Sequence, residues 1–288
     1  MMRCSLFFAS VLLAVVNASA EIPNVDLTAS QRGSVKVLTP DQVSYIPLKP
    51  ARGDSSPRAG VLWGDIRGNT ASGVLLKFSD GFSSPPHIHN ITYRAVVIAG
   101  EIHNDDPDAA LLWMERGSFW SQPAGEIHIT AVRPGNPATA FLEILRGPYL
   151  VQAPSDAFDS GERPLNLLRS NLVWMGVDDF EWIGAASRTE GGPKVALLWG
   201  DLDTGAASGS FLQLPANYSG KFFSMNGAFK SVVVEGDVSH KVTSVTNEAL
   251  IRPGGFFQSA ELVSHSIRCQ SGNACMLYVR TEGTFSLE

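Results

Sequence analysis

Apolar residues along this chain fall in short runs, alternating or continuous over about five to seven positions, with Gly, Pro, Asn and Asp between them. Residues 74–78, 93–99, 140–145 and 230–234 are clear cases. A period of two places successive side chains on opposite faces of a strand, and the turn residues cut one strand from the next. No stretch of the mature chain carries convincing helical periodicity. The pattern predicts an all-β chain of many short antiparallel strands, whose edges are hidden by closure into a small barrel or two-sheet jelly roll.

The pattern is written twice. Leu62-Trp63-Gly64-Asp65 recurs as Leu198-Trp199-Gly200-Asp201, and Ala71-Ser72-Gly73 recurs as Ala207-Ser208-Gly209, each 136 positions on. Val43-Ser44-Tyr45-Ile46 answers to Phe180-Glu181-Trp182-Ile183, and the run 96–101 answers to 232–237. Agreement of order and spacing over so long a stretch marks an internal duplication. It predicts one all-β unit over 21–150, a second over 169–288, and a surface linker over 151–168, where Ala153-Pro154-Ser155-Asp156 and Asp159-Ser160-Gly161-Glu162 read as loop.

Composition narrows the partners. A net charge of −6 repels phosphate backbones, so nucleic acid is not an expected partner. Residues 1–20 read as a secretory signal peptide: Arg3 supplies the early charge, 5–16 the apolar run, and Ala18-Ser19-Ala20 the cleavage signal. The expectation is an exported protein, periplasmic or extracellular, with no membrane segment in its mature form. Cys269 and Cys275 flank a turn-like stretch and could face each other across a hairpin, as a disulfide or as two free thiols.

The chemistry concentrates in the first half. His87 and His89 stand two apart, so in a strand both rings point to one face, the interior of a barrel. His128 follows a turn made by Pro123 and Gly125. Here the chain resembles the cupin superfamily. From its first histidine onward, the first cupin motif, H-x-H-x3-E-x6-G, is met by His87, His89 and Gly100, with Tyr93 where the motif has Glu. The second, G-x5-P-x-G-x2-H, is met by Gly117, Pro123, Gly125 and His128. In its doubled form the chain looks most like an exported bicupin family related to the cupin domain of zinc-binding anti-sigma factors. The resemblance implies two tandem cupin barrels, the second a degenerate copy, and a divalent metal ion (Zn, Fe(II), Ni, Cu or Mn) held by His87, His89 and His128.

Tyr93 replaces the motif carboxylate, leaving three histidines and an undecided fourth group. Its phenol is a ligand, an acid–base group or a wall residue. Glu126 shares parity with His128 and either supplies the missing carboxylate or sits on the rim. Glu143, alone in an apolar run, points inward or outward, and the rarity of unpaired buried charge favours outward. His103, in the acidic stretch 101–106, is expected in a solvated loop. The duplication sets Phe223, Met225 and Phe229 opposite His87, His89 and Tyr93, and only His265 answers to His128. The second barrel is therefore expected to be metal-free, with Phe223, Met225, Phe256 and Phe257 as ordinary core.

No phosphate loop and no nucleophile elbow occurs in the chain. Three functions remain: a metal-dependent enzyme, possibly a dioxygenase, in which Tyr93 or Glu126 moves a proton for a small organic ligand; a non-catalytic metal- or ligand-binding sensory module; and a structural pair of barrels. A homodimer is compatible with each.

Overall fold

The computed structural model describes residues 27–176, 179–180, 191–202 and 205–288. The leader 1–20 and positions 181–183 of the repeat lie outside the described residues. Among the described residues, strands dominate and helix is confined to one α-turn, Ala29–Ser34, and short 3-10 turns. The all-β expectation is met.

Two seven-stranded sheets carry the fold. The first runs Leu165–Leu167, Phe119–Gln122, Tyr93–Ala99, Ala138–Ile144, Ser72–Phe78, Arg58–Trp63, Tyr45–Pro47, and the second runs Lys36–Leu38, Phe256–Ser259, Phe229–Glu235, Cys275–Glu282, Ala207–Leu214, Lys194–Trp199, Met175–Gly176. Their central strands correspond at the spacing of the duplication, so sequence repeat and sheet order agree. Their outer strands cross over. Lys36–Leu38, from the start of the first half, extends the second sheet by pairing with Phe256–Ser259, and Leu165–Leu167, which precedes the second half, extends the first by pairing with Phe119–Gln122. The segment 151–168 is thus not free linker: both ends are strands, and Val151–Gln152 pairs with Ile88–His89.

Alternation divides the core in three. Along Ala138–Ile144, Ala140, Leu142 and Ile144 join an apolar cluster within the first half, while Phe141 joins a cluster that also holds Phe211, Phe256 and Tyr278 of the second. The two large sheets therefore pack face to face, and Trp63 stacks on Phe256 with ring centroids 5.1 Å apart. Gly73 permits that approach, since a Cβ there would lie 2.3 Å from the Trp63 ring. A third cluster fills the second half behind a five-stranded sheet. Phe257 faces this interior and its neighbour Phe256 faces the other sheet, as period two requires.

Glu143 shares parity with Phe141 and does point out of the first half, but it meets the second sheet rather than solvent. It is 1% exposed. One carboxylate oxygen accepts from the Tyr278 hydroxyl, and the other lies 3.6 Å from Arg280 Nε. His103 lies not in a solvated loop but fully buried, and its Nδ1 accepts from the Leu112 backbone N–H at 3.2 Å, so the segment after it folds back as a cover.

Cys269 and Cys275 are joined as a disulfide. Their strands, His265–Cys269 and Cys275–Glu282, belong to different sheets, so the bond ties the two sheets of the second half at a corner rather than closing a hairpin.

Candidate metal centre

His89 lies in the two-residue strand Ile88–His89, and His87 and His128 face each other as an antiparallel bridge, each backbone N–H donating to the other's carbonyl at 3.1 and 3.0 Å. The turn before His128 depends on Gly125, which has φ +79°, and a Cβ at that position would lie 2.2 Å from the Phe158 carbonyl oxygen. Of the described residues, only these three histidines form a group of His, Cys, Asp or Glu able to hold a metal ion, with one ring nitrogen of each within 4.8 Å of the others.

The rings are oriented by the main chain. Nδ1 of His87 is 2.9 Å from the Pro85 carbonyl, Nδ1 of His89 is 2.9 Å from that of Leu150, and Nδ1 of His128 is 3.1 Å from that of Glu126. A carbonyl can only accept, so each Nδ1 carries the proton and each Nε2 keeps its lone pair. Burial lowers the pKa of all three: His89 falls well below the ordinary range, with further repulsion from His128 and His87, and His128 falls to about 3, chiefly by burial and then by repulsion from His87. At neutral pH the group is three uncharged imidazoles with fixed tautomers, the form in which histidine binds a divalent cation. The donor set fits a divalent metal ion.

Tyr93 is 2% exposed and directed at the site, where its hydroxyl lies 3.4 Å from His128 Nε2. Its single proton goes to Asn104 Oδ1 at 2.9 Å, and Thr130 Oγ1 donates to the same oxygen at 2.8 Å. The His128 lone pair is therefore left free. Burial raises the Tyr93 pKa, so the phenol stays protonated. Glu126 does not reach the group. Its side chain lines a separate open depression with Phe158, Asp159 and Arg163, and its contribution is the carbonyl that receives His128 Nδ1–H. Parity with His128 fails because extended pairing begins only at the His128 bridge, and Glu126 still belongs to the turn's exit.

Tyr149, not singled out by the sequence, is the second phenol of the site. It stacks on His89 with centroids 4.2 Å apart, and its hydroxyl donates to His89 Nε2 at 3.0 Å. Only the fold joins the two, across 60 positions. Beside the rings lies a cavity of about 370 Å³, walled by apolar side chains including Phe78, Phe82, Trp120 and Leu142.

The second half has no such group among its described residues, yet His265 is not a lone imidazole. Its Nδ1 is 2.7 Å from His240 Nε2, and its Nε2 is 2.8 Å from Ser259 Oγ. His240 is buried against Phe257, with centroids 4.4 Å apart.

Several solved structures share this architecture. A protein of Nostoc punctiforme provisionally described as a dioxygenase is 13% identical, with a TM-score of 0.64 over 87% of this chain and 83% of that one. Salicylate 1,2-dioxygenase from Pseudoaminobacter salicylatoxidans, solved with gentisate, is 15% identical, with a TM-score of 0.56 over 88% and 82%. AerE from Microcystis aeruginosa is 11% identical, with a TM-score of 0.54 over 85% and 97%. At such identities the likeness speaks to the fold alone, an all-β jelly roll. No curated protein matches the chain. Over residues 36–288 the chain matches the model of the family described as "Domain of unknown function (DUF4437)", and it belongs to that family.

Proposed function

We propose that this chain is an exported protein of two tandem cupin barrels, and that the first is a metal-dependent enzyme acting on a small organic molecule, with His87, His89 and His128 as ligands. The reaction class is oxygenase, isomerase or lyase. The observation that carries the reading is the pinning of all three Nδ1–H groups to main-chain carbonyls, which leaves every ring unprotonated at Nε2 within one cluster beside an apolar cavity. Isolated core histidines have no reason to share one tautomer and one cluster.

A divalent metal bound there supplies Lewis acidity, or electron transfer where the ion is redox-active. The chain's own residues do the rest. The apolar wall excludes water and orients the ligand. Tyr93 and Tyr149, both with pKa raised by burial, serve as hydrogen-bond donors rather than bases. Asn104, held by Gln122, fixes the direction of the Tyr93 hydroxyl. Metal analysis of the purified full chain tests the reading. One equivalent is expected in the wild type and none in His87→Ala or His128→Ala, with turnover of the eventual substrate lost in parallel; a metal-free wild type that is fully active would overturn it.

The alternative is a non-catalytic binding module, and one contact favours it: the Tyr149 hydroxyl already occupies the space before His89 Nε2 and could close a fourth position. Counting exchangeable waters on the loaded metal separates the two, since a closed site keeps none.

A further inference from the structure

The cavity beside the histidines differs in charge from the rest of the molecule. The chain carries −6, yet among the described residues no Asp or Glu lines the cavity, whereas Lys49 and Arg52 do. Neither has an ion-pair partner among the described residues. Both are carried on a pinned turn: Leu48 N–H donates to the Pro57 carbonyl at 2.7 Å, Lys49 N–H to Ser56 Oγ at 2.8 Å, and Arg52 N–H to the Lys49 carbonyl at 3.0 Å. Arg52 is half-buried, and its guanidinium carbon lies 5.6 Å from the centre of the Phe82 ring. Lys49 is exposed, whereas His89 is 2% exposed, so Lys49 marks the mouth and the His89 ring the floor.

We propose that this cavity is built for an apolar organic monocarboxylate, its carboxylate held at the mouth by Lys49 and Arg52 and its apolar body laid against Phe78, Phe82, Trp120 and Leu142 toward the histidines. The proposal rests on the reading of this cavity as the substrate site and adds the chemical class of the substrate. Two cations without counter-ions beside an apolar wall favour an anion over a neutral ligand of equal shape, because the wall lowers the local dielectric and strengthens the attraction. The wall accepts little polarity beyond that one group, so a sugar or a polyanion fits poorly. A volume of about 370 Å³ stands near the lower end for ligand pockets and suits a ring or short chain of roughly a dozen non-hydrogen atoms.

The test is isothermal titration calorimetry on the full chain, zinc-loaded and chelator-stripped, with benzoate against benzamide and 3-phenylpropanoate against its amide. Each acid is expected to bind about tenfold more tightly than its amide, a preference that weakens with added salt. The paired variant Lys49→Met/Arg52→Met should remove the preference while leaving metal content unchanged, and Lys49→Gln/Arg52→Gln should do the same without adding apolar surface. Persistence of the preference in stripped protein separates this claim from the metal reading, which fails or stands on metal analysis alone. Equal binding of acid and amide, no binding of either acid at millimolar concentration, a preference that survives both paired variants, or one present only with zinc would each overturn it.

Discussion

Replacing Arg280 by Met tests how the two large sheets are held together. Arg280 is 6% exposed and Glu143 1%, and Glu143 Oε2 has no hydrogen-bond partner, so its compensation is the charge of Arg280 at 3.6 Å with help from Arg94 and Lys230. Arg94 faces Glu143 across neighbouring strands. Removing one partner of a buried pair costs roughly 3–5 kcal/mol because the other charge is stranded. Two cations remain near Glu143, and burial already raises its pKa, so the carboxyl can take a proton instead of staying ionised. Both effects place Arg280→Met near the lower end, about 3 kcal/mol, or roughly 10 °C in melting temperature for a chain of this size. A raised carboxyl pKa means the folded state holds more protons than the unfolded, so stability falls as pH rises above about 4.3; the deficit of Arg280→Met should therefore shrink toward acid pH. Circular-dichroism melts at several pH values provide the assay, with Arg280→Met/Glu143→Gln as the control that removes the stranded charge and keeps the Tyr278 partner. A loss under about 1 kcal/mol, or a double variant no more stable than the single, would refute the reasoning.

Gly73→Ala and Gly209→Ala should each destabilise by about 1–3 kcal/mol, since the added Cβ would meet Trp63 or Trp199 at 2.3 or 2.0 Å; unchanged denaturation midpoints would contradict the packing. His240 is held by burial at about 4, against about 6.5 unfolded, so the unfolded chain takes a proton first and stability falls as pH drops from about 6.5 to about 4, by roughly 1.4 kcal/mol per pH unit. His240→Asn should flatten that slope in pH-dependent melts, and an equal slope in variant and wild type would exclude the contribution. A divalent metal at about a hundred times its Kd should stabilise the wild type by about 2.7 kcal/mol and His87→Ala not at all, as thermal melts would show.

What the sequence made legible follows from how local each signal is. The spacing of His87 and His89 and the turn before His128 are local, and the fold brings all three together. Tyr149 was invisible because its partner is 60 positions away and the chain only returns there when Val151–Gln152 pairs with Ile88–His89. For Glu143 the parity was right and the environment wrong: alternation tells which face a residue takes, but not that a second sheet covers that face. His103 misled in the same way, as an acidic, turn-rich stretch folded back over it. The parity of Glu126 with His128 runs through the exit of a turn, where alternation does not hold. The crossing of Lys36–Leu38 and Leu165–Leu167 depends on the geometry between the halves, which no local pattern encodes.

The central claim is that His87, His89 and His128 hold one divalent metal through their Nε2 atoms. X-ray absorption on the zinc-loaded full chain tests it most directly. Nitrogen or oxygen ligands are expected at about 2.0–2.1 Å, with outer-shell scattering from three imidazoles that is lost in His89→Ala. Sulfur ligation, scattering from one imidazole or none, or a spectrum unchanged in His89→Ala would contradict it.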